Sequence, residues 1–311
     1  MNKNVTLHHY FQEWITIYKK PFVSTATYVK YTNTHRQIIR YFGDITVPEL
    51  TATYYQQTLN DYAKTHSKLT VSCFHKQIRA CLLDAIDESI ISKDPSRKAM
   101  VTGRNKPSAK NKYLDYRDWQ ALVQRTYGSL NIKDQVIYLS AVTGMRYAEV
   151  LGLTWDNIHF DKQYIEIDKT WDYKYHQGFI STKNHSSNRR VDIDQYTVTT
   201  LRNIFNKKSS DNEKNLVFHY TEGKQLYSAN INQHLSNLCS TIGIPEISFH
   251  SLRHTHASVM LYQGISIMAV SKRLGHSNVT TTQEVYIHII KEMQERERDC
   301  ILQAISKVFD E

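Results

Sequence analysis

Three short islands near the C-terminus carry side chains that can do chemistry on a phosphate diester: His250-Ser251-Leu252-Arg253-His254, Leu274-Gly275-His276 and Tyr286. Arginine presents a planar fork that grips two phosphate oxygens. Histidine hydrogen-bonds or moves protons near neutral pH, and tyrosine can be a covalent nucleophile. No carboxylate falls within or between the first two islands, which suits an anionic substrate. Two earlier boxes extend the set: Arg146 with Glu149 three residues on, and Lys183 in the run Lys-Asn-His-Ser-Ser-Asn-Arg-Arg. Taken singly, each has an ordinary reading: a histidine that packs or caps, a surface Arg–Glu pair, a solvated lysine. The joint spacing carries the argument.

These residues need elements to hold them. From His250 the chain has no Gly or Pro until Gly264, so a helix is predicted. At about 100° per residue, His250, Arg253, His254 and Ala257 share one face and Leu252, Thr255 and Val259 the opposite one. A second helix is predicted from an N-cap at Ser266 through Ile267, Val270 and Leu274 to a stop at Gly275, leaving His276 just past its end. A third, capped by Ser277, carries Tyr286. Gly144 precedes another helical run, which puts Arg146 in or near a first turn, where an anion is favoured. Glu149 then steers the guanidinium, and Val150, Leu151 and Leu153 supply core contacts. Gln163–Asp168, Gly178–Thr182 and Arg190–Ile193 read as strands, with Lys183 on a hairpin between the last two.

The rest of the chain frames this site. Its 311 residues suffice for two domains, and a formal net charge of +9 favours a polyanionic partner, most simply nucleic acid. Cys73, Cys81, Cys239 and Cys300 form no C-x-x-C pair, so neither a zinc ribbon nor a disulfide framework is indicated. Neither a signal peptide nor a long apolar run is evident, and the expectation is a soluble protein of the cytoplasm. Residues 1–100 read as all-helical, with segments near Thr6–Lys19, Thr25–Phe42, Thr51–His66 and Thr70–Ser92. They hold 13 Lys/Arg against 8 Asp/Glu, which fits a domain laid on a phosphate backbone. Asp94–Lys112, with two prolines, a glycine and six basic residues against one acid, reads as a linker, and the domain break is placed at 101–112. The second domain, 113–311, starts with a helix at Tyr116–Tyr127. It ends in a tail, about 290–311, whose Ile301, Leu302, Ile305, Val308 and Phe309 form an apolar stripe. The fold class expected is mainly α with a small antiparallel β-sheet in the C-terminal domain.

In order, Arg146, Lys183, His250-x-x-Arg253, His276 and Tyr286 resemble the tyrosine recombinase family, the phage-integrase type of site-specific recombinase. The resemblance covers roughly residues 113–290. It rests on the Thr143-Gly-x-Arg146 box, the His-x-x-Arg helix, Leu-Gly-His ahead of a tyrosine, and Thr182-Lys183-Asn184 with Ser and Arg downstream. Tyr286 follows His276 one residue later than the family's usual spacing. The helical N-terminal region is similar to that family's core-binding domain, which implies a two-domain DNA clamp.

The resemblance implies a mechanism. Tyr286 attacks the scissile phosphate, forms a 3′-phosphotyrosine and releases a 5′-hydroxyl. Arg146 and Arg253 stabilise the pentacoordinate transition state, Lys183 protonates the leaving oxygen, His250 is acid/base or orienting group, and His276 hydrogen-bonds the phosphate. A tyrosine is only about 0.1% phenolate at pH 7, so it needs such a cationic pocket. Because the covalent link stores the diester energy, no metal, ATP or other cofactor is required. The implied partners are double-stranded DNA at attachment or core sites and further copies of the chain, assembled as a tetramer on DNA with the tail exchanged in trans. The resemblance also implies a host DNA-bending protein and an excisionase as partners. Candidate DNA contacts are Lys76, Arg79, Arg97, Lys98, Arg104, Lys106 and Lys110.

The same chemistry would serve a chromosome-dimer-resolving or transposon recombinase. A type IB topoisomerase is disfavoured by the Leu-Gly-His box, and a non-catalytic DNA-binding protein by the presence of Tyr286 and both arginines. A metal site from His250, His254 and His256 is disfavoured by Arg253 between them.

Overall fold

The computed structural model describes residues 4–104, 113–175, 178–181, 187–207, 212–218, 226–280 and 283. The chain divides into two compact units, Met1–Ser108 and Ala109–Glu311.

The first unit is built on four helices: α1 (Leu7–Trp14), α2 (Thr25–Phe42), α3 (Ala52–Ala63) and α4 (Lys68–Asp87). Hydroxyl N-caps start three of them. Ser24 accepts from the Thr27 N–H, Thr51 from Tyr54 and Ser67 from Thr70. Apolar residues at helical spacing, such as Leu7, Phe11 and Trp14 on α1 and Val71, Ile78 and Leu82 on α4, close into one core. Each such side chain contributes about 1.5–3 kcal/mol on full burial. Beyond Trp14 the backbone widens into a π-helical turn over Ile15–Lys19, closed by the Lys20 N–H on the Ile15 carbonyl.

Two expectations change here. The fourth helix stops at Asp87 rather than Ser92, because Ser89 takes a left-handed φ of 58°. The stretch read as a linker from Asp94 is docked as far as Arg104. Asp94 takes Arg79 at 3.0 Å and the Ser96 N–H at 2.8 Å, Gln56 exchanges hydrogen bonds with the backbone of Met100, and the Arg104 N–H reaches the His66 carbonyl. Composition marks this segment as punctuated, but these fixed partners make it a strap on α3 and α4.

The second unit comprises α5 (Tyr116–Thr126), α6 (Ile132–Thr143), α7 (Tyr147–Leu151), β1 (Ile158–His159), β2 (Tyr164–Ile167), β3 (Lys169–Asp172), β4 (Gly178–Ser181), β5 (Arg189–Asp192), α8 (Gln195–Phe205), α9 (Ser228–Ile242), α10 (Phe249–Tyr262) and α11 (Ile267–Leu274). Helix α6 is buried on nearly every side, including Val136, Ile137, Tyr138, Leu139, Ser140 and Ala141, and α10 packs along it. The expected two-faced α10 is therefore a central helix whose polar face is partly enclosed: Arg253 is at 4% exposure, while His250 at the start of the helix stays exposed. Thr255 on that helix returns its hydroxyl to the Ser251 carbonyl and accepts from the Leu114 N–H.

The strands form an antiparallel sheet in the order β1-β2-β5 and a two-stranded ribbon of β3 and β4. Trp171 faces Phe179 in the ribbon, and Ile165 faces Val191 in the sheet. The strands that flank Lys183 thus pair with different partners, β4 with β3 and β5 with β2. β4 and β5 are therefore not the two paired arms of one hairpin. Gly152, just past α7, lies against the β3 backbone so closely that a Cβ would sit 2.8 Å from the Thr170 carbonyl carbon.

Candidate active site

The site is organised by helix ends. α6 ends at Gly144 and α11 at Gly275, both left-handed, with φ of 69° and 68°. From α10, Arg253 donates Nη1 to the Gly144 carbonyl at 2.9 Å and Nη2 to the Leu274 carbonyl at 2.6 Å. One buried guanidinium therefore bridges the two glycine-terminated stops and is held in a single orientation by them.

Arg146 is the N-cap of α7. Glu149 accepts both from the Arg146 backbone N–H at 2.8 Å and from its Nη1 at 2.8 Å, so one carboxylate fixes main chain and guanidinium together. Glu149 is itself 2% exposed and is gripped from β5 by Arg189, whose Nη1 and Nη2 lie 3.0 and 2.8 Å from its two oxygens. Burial pushes the Glu149 carboxyl up, but hydrogen bonds and charge from Arg189, with the charge of Arg146, outweigh it and hold the group below its ordinary value.

Arg146, His250 and Arg253 line one cleft of about 260 Å³, shared with Tyr147, Tyr173 and Phe249. Tyr147 stacks edge-on against both other rings at 4.9 Å and donates its hydroxyl to the Leu226 carbonyl. His276 lies past Gly275, its backbone N–H on the Ser271 carbonyl. Burial first, then the charges of Arg253, Arg146 and Arg189, lower its imidazole to about 4. His250 is lowered by loss of solvent around its ring and by Arg253 and Arg146. Both rings are thus neutral at pH 7, suited to hydrogen bonding while the arginines supply the charge.

Of the six residues expected to act on the phosphate, Arg146, His250 and Arg253 meet at this cleft and His276 stands within reach of their field. Lys183 and Tyr286 lie outside the described residues, as do Lys106, Lys110 and the tail. In the first unit Lys76, Arg97, Lys98 and Arg104 are exposed, whereas Arg79 is engaged with Asp94. The cap of the helical turn leading toward Tyr286 is Asn278 and not Ser277: its Oδ1 accepts from the Thr280 N–H and hydroxyl.

His256, the third member of the histidine trio, points into the core. Its Nδ1 faces the Ala141 carbonyl at 3.2 Å and its Nε2 accepts from Arg273 Nε at 3.0 Å. The trio is therefore not a metal shell, and no group of metal-ligating side chains was found among the described residues.

The sequence reading missed Arg189 and Arg273 as parts of the site. Arg189 alternates with Val191 on the buried side of β5, while Arg190 faces out over the Tyr164 ring. An arginine in phase with a buried valine requires a buried acid, and Glu149 was available to supply it.

Residues 112–293 match the model of the phage integrase family, and residues 6–62 match the phage integrase N-terminal SAM-like domain. The chain belongs to the phage integrase family.

Relatives of this family member include a tyrosine recombinase XerC-like protein of Caldanaerobacter subterraneus subsp. tengcongensis, 24% identical over 91% of this chain and 78% of the relative. The integrase of Staphylococcus phage L54a is 24% identical over 94% of this chain and 91% of its own length. Among solved structures, the Tn1549 transposon integrase in complex with a circular intermediate DNA shares the fold at a TM-score of 0.77 and 16% identity, covering 94% of this chain and 99% of that one. A lambda integrase dimer bound to a COC' core site does so at 0.67 and 16% identity, over 90% and 95%. At such identity the likeness to this phage integrase family member is one of fold.

Proposed function

We propose that the chain cleaves and rejoins DNA at specific sites as the integrase of a phage or other mobile element, with Tyr286 as nucleophile. Membership of the family makes it a DNA breaking-rejoining enzyme of the tyrosine recombinase kind. The observation that carries the residue assignment is the convergence of Arg146, His250 and Arg253 on one cleft, each arginine held by fixed acceptors. A preorganised cation pair at a phosphate stabilises the charge that develops on the non-bridging oxygens, and loss of one such donor costs about 10²–10³ in rate.

In this reading the Tyr286 hydroxyl passes its proton to neutral His250 and attacks phosphorus, the bond to the 5′ oxygen breaks, and Lys183 delivers the proton that oxygen takes up. His276 and His250, neutral at pH 7, hydrogen-bond the phosphate and its neighbours. A 5′-hydroxyl from another strand then attacks the phosphotyrosine and restores the diester. The partner is duplex DNA, contacted by the exposed Lys76, Arg97, Lys98 and Arg104 of the first unit and by Lys106 and Lys110 beyond it. Further copies assemble on that DNA as a tetramer, with the apolar stripe of the tail docked on a neighbouring copy. A host DNA-bending protein and an excisionase complete the partner set.

The test is covalent trapping. The full chain is incubated with a pool of random-sequence duplexes, each nicked near its centre so that the short fragment released by cleavage diffuses away. A DNA–protein adduct that survives denaturation, and is absent with Tyr286→Phe while duplex binding persists, is the expected result. Full adduct from the Phe variant would remove Tyr286 from the role and turn attention to Tyr262, Tyr227 and Tyr220.

A further inference from the structure

We infer that Arg189 is the positioning residue of this active site: it sets the Arg146 guanidinium through Glu149 and, with the same side chain, locks the end of α11 that precedes His276 to that pair. This rests on the recombinase reading above and adds to it a residue that does not touch DNA.

Arg189 uses its whole fork. Nη1 and Nη2 take the two Glu149 oxygens at 3.0 and 2.8 Å, Nη1 also takes the Ser187 carbonyl at 3.1 Å, and Nε takes the Arg273 carbonyl at 2.7 Å. Each partner belongs to a different part of the machinery. Glu149 holds Arg146. Ser187 is two residues before Arg189 and four after Lys183 in the chain. Arg273 is two residues before Gly275 and three before His276.

The side chain is 4% exposed and Glu149 2%, so water cannot substitute for either in these contacts. With Arg189 removed, Glu149 has only the half-exposed Arg146 to balance it in a dry site, and that guanidinium is drawn toward the acid and away from the cleft. A lysine at 189 keeps the charge but has one nitrogen, which cannot span Glu149, Ser187 and Arg273 at once. The requirement is for geometry as well as for charge.

The test uses the full chain and a nicked duplex recovered from the covalent-trapping pool, in single turnover at saturating protein. Arg189→Gln is expected to slow adduct formation by about 10²–10³-fold, the scale of one misplaced charge stabiliser, with duplex affinity within a few-fold of wild type. Arg189→Lys, which retains charge and most of the volume, is expected to recover little of that rate. It serves as the test protein if the Gln variant does not fold. In an Arg146→Ala background the Gln substitution is expected to add at most a few-fold, because the residue it positions is gone. On a methylphosphonate at the scissile position, which lacks the non-bridging charge, the loss is expected to shrink in the same way.

A Lys variant with the wild-type rate, or an Arg189 effect that multiplies in full with Arg146→Ala, overturns the inference. Failure of the recombinase reading is distinct: wild type itself would then form no adduct.

Discussion

Arg273 Nε donates to Nε2 of His256 across 3.0 Å, joining the last turn of α11 to the buried side of α10. The same guanidinium donates to the Asp192 carbonyl at 3.0 Å and the Val142 carbonyl at 3.3 Å, so α11 is fastened to the ends of β5 and α6. For His256 to accept from an arginine it must be neutral, and burial, followed by the charge of Arg273, lowers it to about 3.

That neutrality predicts acid sensitivity. The unfolded imidazole titrates near 6.5, so between about pH 3 and 6.5 the unfolded chain binds a proton that the folded chain refuses. Stability from this group is complete above pH 6.5 and falls by up to about 1.4 kcal/mol per unit as pH drops through that window. His256→Gln keeps an acceptor for Arg273 and does not titrate. Thermal unfolding of this variant is expected to lose less between pH 7 and pH 5 than the wild type does. An equal loss in both would place the acid sensitivity elsewhere, with His276 the next candidate.

Gly144 and Gly243 both end helices at positive φ, 69° and 73°, but only Gly144 is crowded. A Cβ there would lie 2.8 Å from the His256 ring and 2.8 Å from Leu274, while nothing lies within 4 Å of one at Gly243. Gly243→Ala is expected to cost about 1–2 kcal/mol for the left-handed backbone alone. Gly144→Ala adds overpacking of about 1–3 kcal/mol, and it displaces α11 from the Arg146 box. Denaturant melts of the two variants measure the difference, and equal losses would mean that the crowding relaxes freely.

Lys183→Ala is expected to slow cleavage by about 10²–10⁴-fold, the usual worth of a general acid. A duplex with sulfur at the 5′-bridging position needs no proton to leave and is expected to restore most of that rate. If the sulfur substrate is cleaved no better relative to wild type, Lys183 does not protonate the leaving group.

In the first unit, Lys76→Gln and Lys98→Gln are each expected to reduce the slope of log affinity against log salt by about 1 if each lysine meets one phosphate. Arg79→Gln is expected to act first on stability, because Arg79 and Ser96 together offset the cost of burying Asp94 and keep its carboxyl below the ordinary range. Filter binding across a salt series, set beside thermal melts, separates the two effects. A full unit of slope lost with Arg79→Gln and no change in melting would make it a phosphate contact.

By itself, the sequence determined the local elements and the residue types available to the candidate site. Ser266 and Gly275 bound α11 because a hydroxyl N-cap and a left-handed glycine are decisions made within one turn of chain. The joint spacing of Arg146, His250-x-x-Arg253 and His276 led to the expectation of a phosphate site for a similar reason: residue type dictates what each group can bind. Tertiary structure decided what the spacing could not carry. Strand pairing depends on partners far along the chain, so β4 joined β3 and β5 joined β2 instead of pairing with each other. The docking of Asp94 to Arg104 depends on α3 and α4, which composition does not see. The role of Arg189 depends on Glu149, 40 residues earlier, and on Arg273, 84 residues later, meeting it in a space closed to water. A buried ion pair is costly unless every partner is in place, and only the folded chain brings those partners together.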